Sequence, residues 1–172
     1  MVELVDTSRM SPEQALSALE SAHREERLAQ AKGALALLRL VKTYRHPFKG
    51  DKSRLGGEGT PEVDDFVCLE AAAVLRWSPP AVSQRAADLL DLECRHPRLW
   101  EQVVAGGVPV WQACKIASAC RRLSKAKALW VDATVAPFTA RLGSCRLLRF
   151  VEGLVVQADP VAADAAAGVR VG

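Results

Sequence analysis

A polar residue directly ahead of a proline recurs along this chain, at Ser11-Pro12, Thr60-Pro61, Ser78-Pro79 and His96-Pro97. A serine or threonine there accepts an unpaired backbone N–H, and proline suits the first helical position, where no donor is lost. Each pair precedes residues that can follow a helical period, so the chain reads as a series of helices with defined starts. Composition points the same way. Ala, Leu and Arg dominate, aromatics are only 5% of the 172 residues, and β-branched runs are short. The expected fold is all-α, a multi-helix bundle with a long N-terminal helix and a helix-turn-helix-like hairpin.

The first helix starts at Ser11-Pro12-Glu13-Gln14, where Gln14 can close a capping box. Leu28, Ala31, Leu35 and Leu38 recur at three and four, which carries the helix to about Tyr44. Gly33 lies inside it, at a cost of about 1 kcal/mol relative to Ala, and suggests close packing there. Too few heptads persist to define a coiled coil. Residues 46–61, HPFKGDKSRLGGEGTP, hold two prolines and four glycines and read as a flexible linker. The expected organisation is therefore a helix over 1–45, the linker over 46–61, a helical core over 62–159 and a tail over 160–172. Within the core, Thr60-Pro61 is expected to open a helix reaching Trp77, Ser78 one reaching Glu93, and His96-Pro97 a short one ending at Gly106-Gly107. Pro109 leads a helix through Cys120, Ser124 caps one that Pro137 stops, and Thr139 caps the last long one, to about Gln157. An Ala-rich segment, 161–167, looks weakly structured.

The run FVCLEAAAVLRWSPPAVSQRAADLLDL, 66–92, has the outline of a helix-turn-helix. In that outline Leu69, Ala72 and Ala73 let the helices approach, and Leu75, Trp77 and Val82 form a small core. Ser83, Gln84 and Arg85 would then face outward at the start of the second helix. Gln84 and Arg85 have the chemistry to meet adenine and guanine edges. Arg121, Arg122, Lys125 and Lys127 form a second, phosphate-directed candidate. Charge placement weakens the first. Residues 61–93 hold seven acids against two bases, while residues 31–60 hold seven bases against two acids. The basic charge flanks the hairpin and does not sit on it.

Nothing in the sequence assembles a catalytic centre. The three histidines are far apart, no zinc-ligand spacing occurs, and no glycine-rich loop follows a strand. Asp64 and Asp65 are adjacent and point apart on a helix, which suits a helix N-terminus better than a metal. No cofactor, metal or small-molecule substrate is expected. Five scattered cysteines without a C-x-x-C pair suggest reduced, buried thiols. The N-terminus lacks a signal-peptide pattern and no apolar run is long enough to span a bilayer, so a cytoplasmic protein without membrane association is expected.

Three stretches together carry a family resemblance: the 66–92 run, AGGVPVWQACKIA at 105–117, and ARLGSCRLLRFVEGLVVQADPVAADAA at 140–166. In order and spacing they resemble the domain of unknown function 222 family, a helical region of actinobacterial proteins that usually precedes an HNH endonuclease domain. The resemblance implies association with nuclease-bearing genes and supplies no catalytic residue here. The histidine-rich HNH core would lie past Gly172, so the expectation is a truncated copy, a gene fragment or a stand-alone N-terminal region, with a nuclease the least favoured reading. Two functions follow. One is a non-catalytic, nucleic-acid-associated module with DNA as partner. The other is a helical protein–protein or oligomerisation module, self-associating through the N-terminal helix, without DNA contact.

Overall fold

The structure, a computed structural model, describes residues 9–47 and 51–160. Among the described residues seven α-helices follow in chain order: α1 (Pro12–Thr43), α2 (Val67–Leu75), α3 (Pro79–Arg95), α4 (Pro97–Val104), α5 (Val110–Ala119), α6 (Lys125–Val135) and α7 (Ser144–Ala158). Two short strands, β1 (Lys52–Ser53) and β2 (Val63–Asp64), pair antiparallel between α1 and α2. The all-α bundle with a long first helix is what the sequence specifies. The tail from 161 onward, with its Ala-rich segment, lies outside the described residues, as do residues 1–8 and 48–50.

Several starts form as their local chemistry dictates. At Ser11 the hydroxyl accepts from the Gln14 N–H and the Gln14 side chain accepts from the Ser11 N–H, closing the capping box. Ser78 and Ser124 cap α3 and α6 in the same way, accepting from Ala81 and Lys127. Two starts differ. Pro61 opens no helix, because Val63 and Asp64 are drawn into the strand pair and α2 begins only at Val67. Thr139 caps nothing, because its hydroxyl turns to the Gln102 side chain at 2.6 Å and the chain makes a 3₁₀ turn over Ala136–Phe138. The last helix therefore starts at Ser144.

The helix α3 runs through the middle of the bundle, touching α1, α2, α4, α5 and α6. Val82, Ala86, Leu89, Leu90 and Leu92 are sealed from solvent, so α3 presents apolar side chains in several directions. A helix surrounded in this way has only its first turn and a half free. Against it α2 packs with Val67, Cys68, Ala71 and Ala72. That face occupies the contact, so Leu69, Ala73, Leu75 and Trp77, expected inside the hairpin, are exposed; only Ala72 and Val82 are buried as anticipated. The turn between the helices passes through Arg76 at φ 56°, a left-handed conformation that costs a non-glycine residue about 1–2 kcal/mol. Its geometry is a Schellman-type stop, with the Trp77 N–H donating to the Ala72 carbonyl at 3.2 Å.

The expected flexible linker is folded into the body from residue 51 onward. Its glycines serve close approach. The Gly57 N–H donates to Asp91 Oδ1 at 2.7 Å, the buried Thr60 hydroxyl donates to the Gly57 carbonyl at 2.8 Å, and Glu58 accepts from the Lys125 N–H. A Cβ at Gly57 would collide with the Arg95 guanidinium and lie 2.6 Å from the Arg121 carbonyl oxygen. We expect Gly57→Ala to destabilise the fold by about 1–3 kcal/mol through overpacking, measured as a fall in the urea midpoint at unchanged slope. A variant as stable as wild type would show the loop free to move away.

Cysteine burial is mixed. Cys68, Cys114 and Cys120 are buried as expected, Cys94 is half-buried and Cys145 is exposed; all five are free thiols. Burial pushes the Cys114 and Cys120 thiols up to about 11 and about 12, which keeps both protonated and unreactive at neutral pH.

Candidate functional site

The residues nominated for DNA fall into two groups. Gln84 and Arg85 leave the exposed end of α3. The Gln84 amide donates to Asp88 Oδ1 at 2.8 Å. Arg85 reaches Cys114 Sγ at 3.5 Å and lies over the Trp77 ring, 5.9 Å from its centre. Ser83 is half-buried on the same turn. Arg121 comes to this place from the end of α5, donating to Asp88 Oδ1 at 2.5 Å and to Asp91 Oδ2 at 2.7 Å. Asp88 thus joins Gln84 to Arg121. Burial raises its carboxyl, and the Arg121 guanidinium acts against that shift.

The rest of the basic cluster is not brought together with them. Lys127 pairs with Asp159 on the far end of α7 at 2.9 Å. The Lys125 stem lies where a Cβ on Gly59 would stand, and its backbone N–H donates to Glu58. Arg122 is exposed at the α5–α6 turn. Two of the four cations proposed for phosphate are therefore matched by carboxylates of the chain itself. Asp64 and Asp65 are also engaged locally. Asp64 accepts backbone N–H groups of His46 and Phe66, which hold its carboxyl below the usual range, and Asp65 accepts from the Ser53 hydroxyl at 2.5 Å. Among the described residues no three His, Cys, Asp or Glu side chains converge as a metal site. No described helix is long and apolar enough to cross a membrane.

What the structure adds is a groove. A cavity of about 420 Å³ opens between α3 and α5, walled by Trp77, Trp111, Arg85, Cys114 and Lys115, with Gln84 and Asp88 on its polar side. Trp77, Arg85 and Trp111 also line a second cavity, about 410 Å³, together with Leu75, Leu89, Val110 and the α1 residues Gln30, Gly33, Ala34 and Leu37. The lining is mainly aliphatic and aromatic, with a cation beside each indole. Arg85 covers Trp77, and Lys115 Nζ stands 5.4 Å from the Trp111 ring centre. Trp77 and Trp111 remain 46% and 42% exposed, much for so large an apolar ring.

The sequence holds one signal for this groove. LRWSPPAVSQRAADL and AGGVPVWQACKIASA both run from a turn through proline into a helix, and each carries a tryptophan at the turn. The echo places both indoles at helix starts, yet nothing in it says that the starts are neighbours. Compared with known proteins, the chain matches no family profile, no curated protein and no solved structure.

Proposed function

We propose that this chain is a non-catalytic helical interaction module that binds an apolar, acid-bearing helical segment in the Trp77–Trp111 groove. The observation that carries this reading is the pairing of open indoles with cations that form no ion pair among the described residues. Arg85 and Lys115 lie at the rings outside any such pair, and Asp88, one turn from Arg85, is engaged by Arg121 and Gln84, whereas Arg121 and Lys127 are paired within the chain. A groove of this kind favours the helix-in-groove mode, in which apolar side chains enter and flanking acids meet the rim cations. The resemblance to the domain of unknown function 222 family supplies a setting for the proposal: an actinobacterial, HNH-nuclease-associated protein whose helical region serves as an adaptor.

Direct nucleic-acid association is the second reading, favoured by the exposed Arg122 and Lys125 beside the end of α5. Two titrations separate them. An acidic amphipathic helical peptide should change the tryptophan fluorescence, and Trp111→Ala should weaken its binding at least about tenfold, the scale of an aromatic anchor. Electrophoretic shift at low salt should show no complex with duplex DNA. A salt-sensitive shift abolished by changing Arg122 and Lys125 to Ala, with no peptide response, would reverse the choice. A sequence-selective shift lost in Gln84→Ala/Arg85→Ala would instead assign base reading to α3.

A further inference from the structure

The groove has a matching helix elsewhere in this same chain. From Pro12 to Glu26, α1 stands clear of the body: every residue is exposed except half-buried Ala18, and contact with the bundle begins at Arg27, which donates to the Gly106 carbonyl. The free stretch is about 22 Å long at 1.5 Å per residue. It carries two leucines, Leu16 at 59% and Leu19 at 66% exposure, which the monomer does not use. Its acids are Glu13, Glu20, Glu25 and Glu26, against Arg24 and His23. That is the chemistry the groove favours, an apolar stripe with negative flanks.

The same helix forms one wall of the groove, through Gly33 and Leu37. Leu16 and Leu19 lie on one heptad line with Gly33, Leu37 and Leu40, since the spacings are multiples of three and four around a seven-residue repeat. Leu40 is itself partly exposed. Gly33 has no reason within the monomer, because a Cβ there would meet nothing within 4 Å. A glycine at this position nonetheless weakens the helix, and it leaves the surface low where a second helix would lie.

We infer that the occupant of the groove is the free half of α1 from a second copy, in a two-fold antiparallel dimer. The inference rests on the groove reading above. Antiparallel pairing of the heptad line sets Leu19 against Leu37 of the partner copy and Leu16 against Leu40. His23 then lies over Gly33, and Glu25 comes beside Lys32 on one flank. On the other flank Glu20 comes level with Arg85. Two-fold symmetry applies every contact twice, so each protruding half fills the other copy's groove and the surface closes without leaving a free end. The polar middle of the line, His23, Glu26 and Gln30, weakens the seam but fixes its register.

Sedimentation equilibrium of the full chain over a wide concentration range tests this. Wild type should be a concentration-dependent dimer. Leu16→Glu/Leu19→Glu should be monomeric and should melt where wild type melts at concentrations below its dimer range, because neither leucine contributes to the monomer's core. Gly33→Leu should also weaken the dimer at least tenfold while leaving the monomer folded and no less helical. Glu20→Arg should weaken it, and adding Arg85→Glu should restore it. A wild type that stays monomeric throughout overturns the dimer, as does a dimer that survives the leucine double variant. The groove reading is tested apart from this on the monomeric double variant. If its tryptophan fluorescence responds to an unrelated acidic amphipathic peptide, the groove reading stands whatever the fate of the dimer; if it does not, both fall.

Discussion

Replacing Asp91 by Ala is expected to destabilise the fold by about 3–5 kcal/mol, the cost of breaking a buried ion pair from one side. Asp91 and Arg95 are both fully buried, one turn apart on α3, with Arg95 Nη1 donating to Asp91 Oδ1 at 3.1 Å. The same oxygen accepts the Gly57 N–H, and Oδ2 accepts from Arg121. Arg95 in turn donates to the carbonyls of Cys120, Arg121 and Leu123, and so ties the α5–α6 turn to the centre of the bundle. With Ala at 91, Arg95 keeps its carbonyl partners but loses the carboxylate it pairs with, and the Gly57 N–H loses its acceptor. Urea denaturation should show the midpoint fall. Asp91→Ala combined with Arg95→Met should recover part of the loss, because the stranded charge is then removed as well. A loss below about 1 kcal/mol for Asp91→Ala would mean that water reaches the network and solvates Arg95.

Acid should weaken the protein well before its carboxylates titrate, and His96 is the reason. The ring is fully buried at the α3–α4 junction, and neither nitrogen has a hydrogen-bond partner. Burial pushes its pKa down to about 4, with the positive charge of Arg95 adding to the shift and Asp91 opposing it. In the unfolded chain the ring titrates near its ordinary 6.5. Between these values the unfolded state takes up a proton that the folded state refuses, so stability is lost as pH falls from 6.5 towards 4. A shift of this size corresponds to roughly 3 kcal/mol at the lower limit. Asp88 and Asp132 act in the opposite sense. Burial raises both carboxyls, so the fold takes up their protons more readily than the unfolded chain, and they offset part of the loss as pH falls. Below about pH 6.5 the loss is the one His96 produces. Denaturant midpoints from there down to about pH 5 should fall for wild type and stay nearly level for His96→Leu. Parallel slopes in the two proteins would show that the histidine is protonated in place.

Both effects involve residues whose importance is invisible along the chain. Asp88 and Asp91 raise the acid content of the hairpin, and in sequence they argue against phosphate nearby. In the structure they are the partners of Arg121 and Arg95, which come from elsewhere in the chain or from one turn away. Asp132 is similar. It lies on α6 yet accepts the Arg98 and Leu99 N–H groups at 3.0 Å, capping a helix some thirty residues earlier that has no side-chain cap of its own. Asp132→Ala should thus cost about 1–2 kcal/mol, read as a lowered melting temperature with the α4 amides exchanging faster.

Local sequence determined the helices. Ser11, Ser78 and Ser124 ahead of their helical runs set three starts, and the glycines after α4 set its stop, because capping and chain stiffness act within one turn and need no distant partner. The apolar period likewise marked Ala31, Leu38 and the middle of α3 as core. Tertiary structure decided everything that depends on which surfaces meet. It made α3 the central helix, turned a glycine-rich stretch into a packed loop, left Trp77 outside and set it beside Trp111. It also neutralised half of a basic cluster. A glycine needed for close approach and one in a mobile linker are the same letter, and a charge is free or paired only by reference to what stands next to it in space.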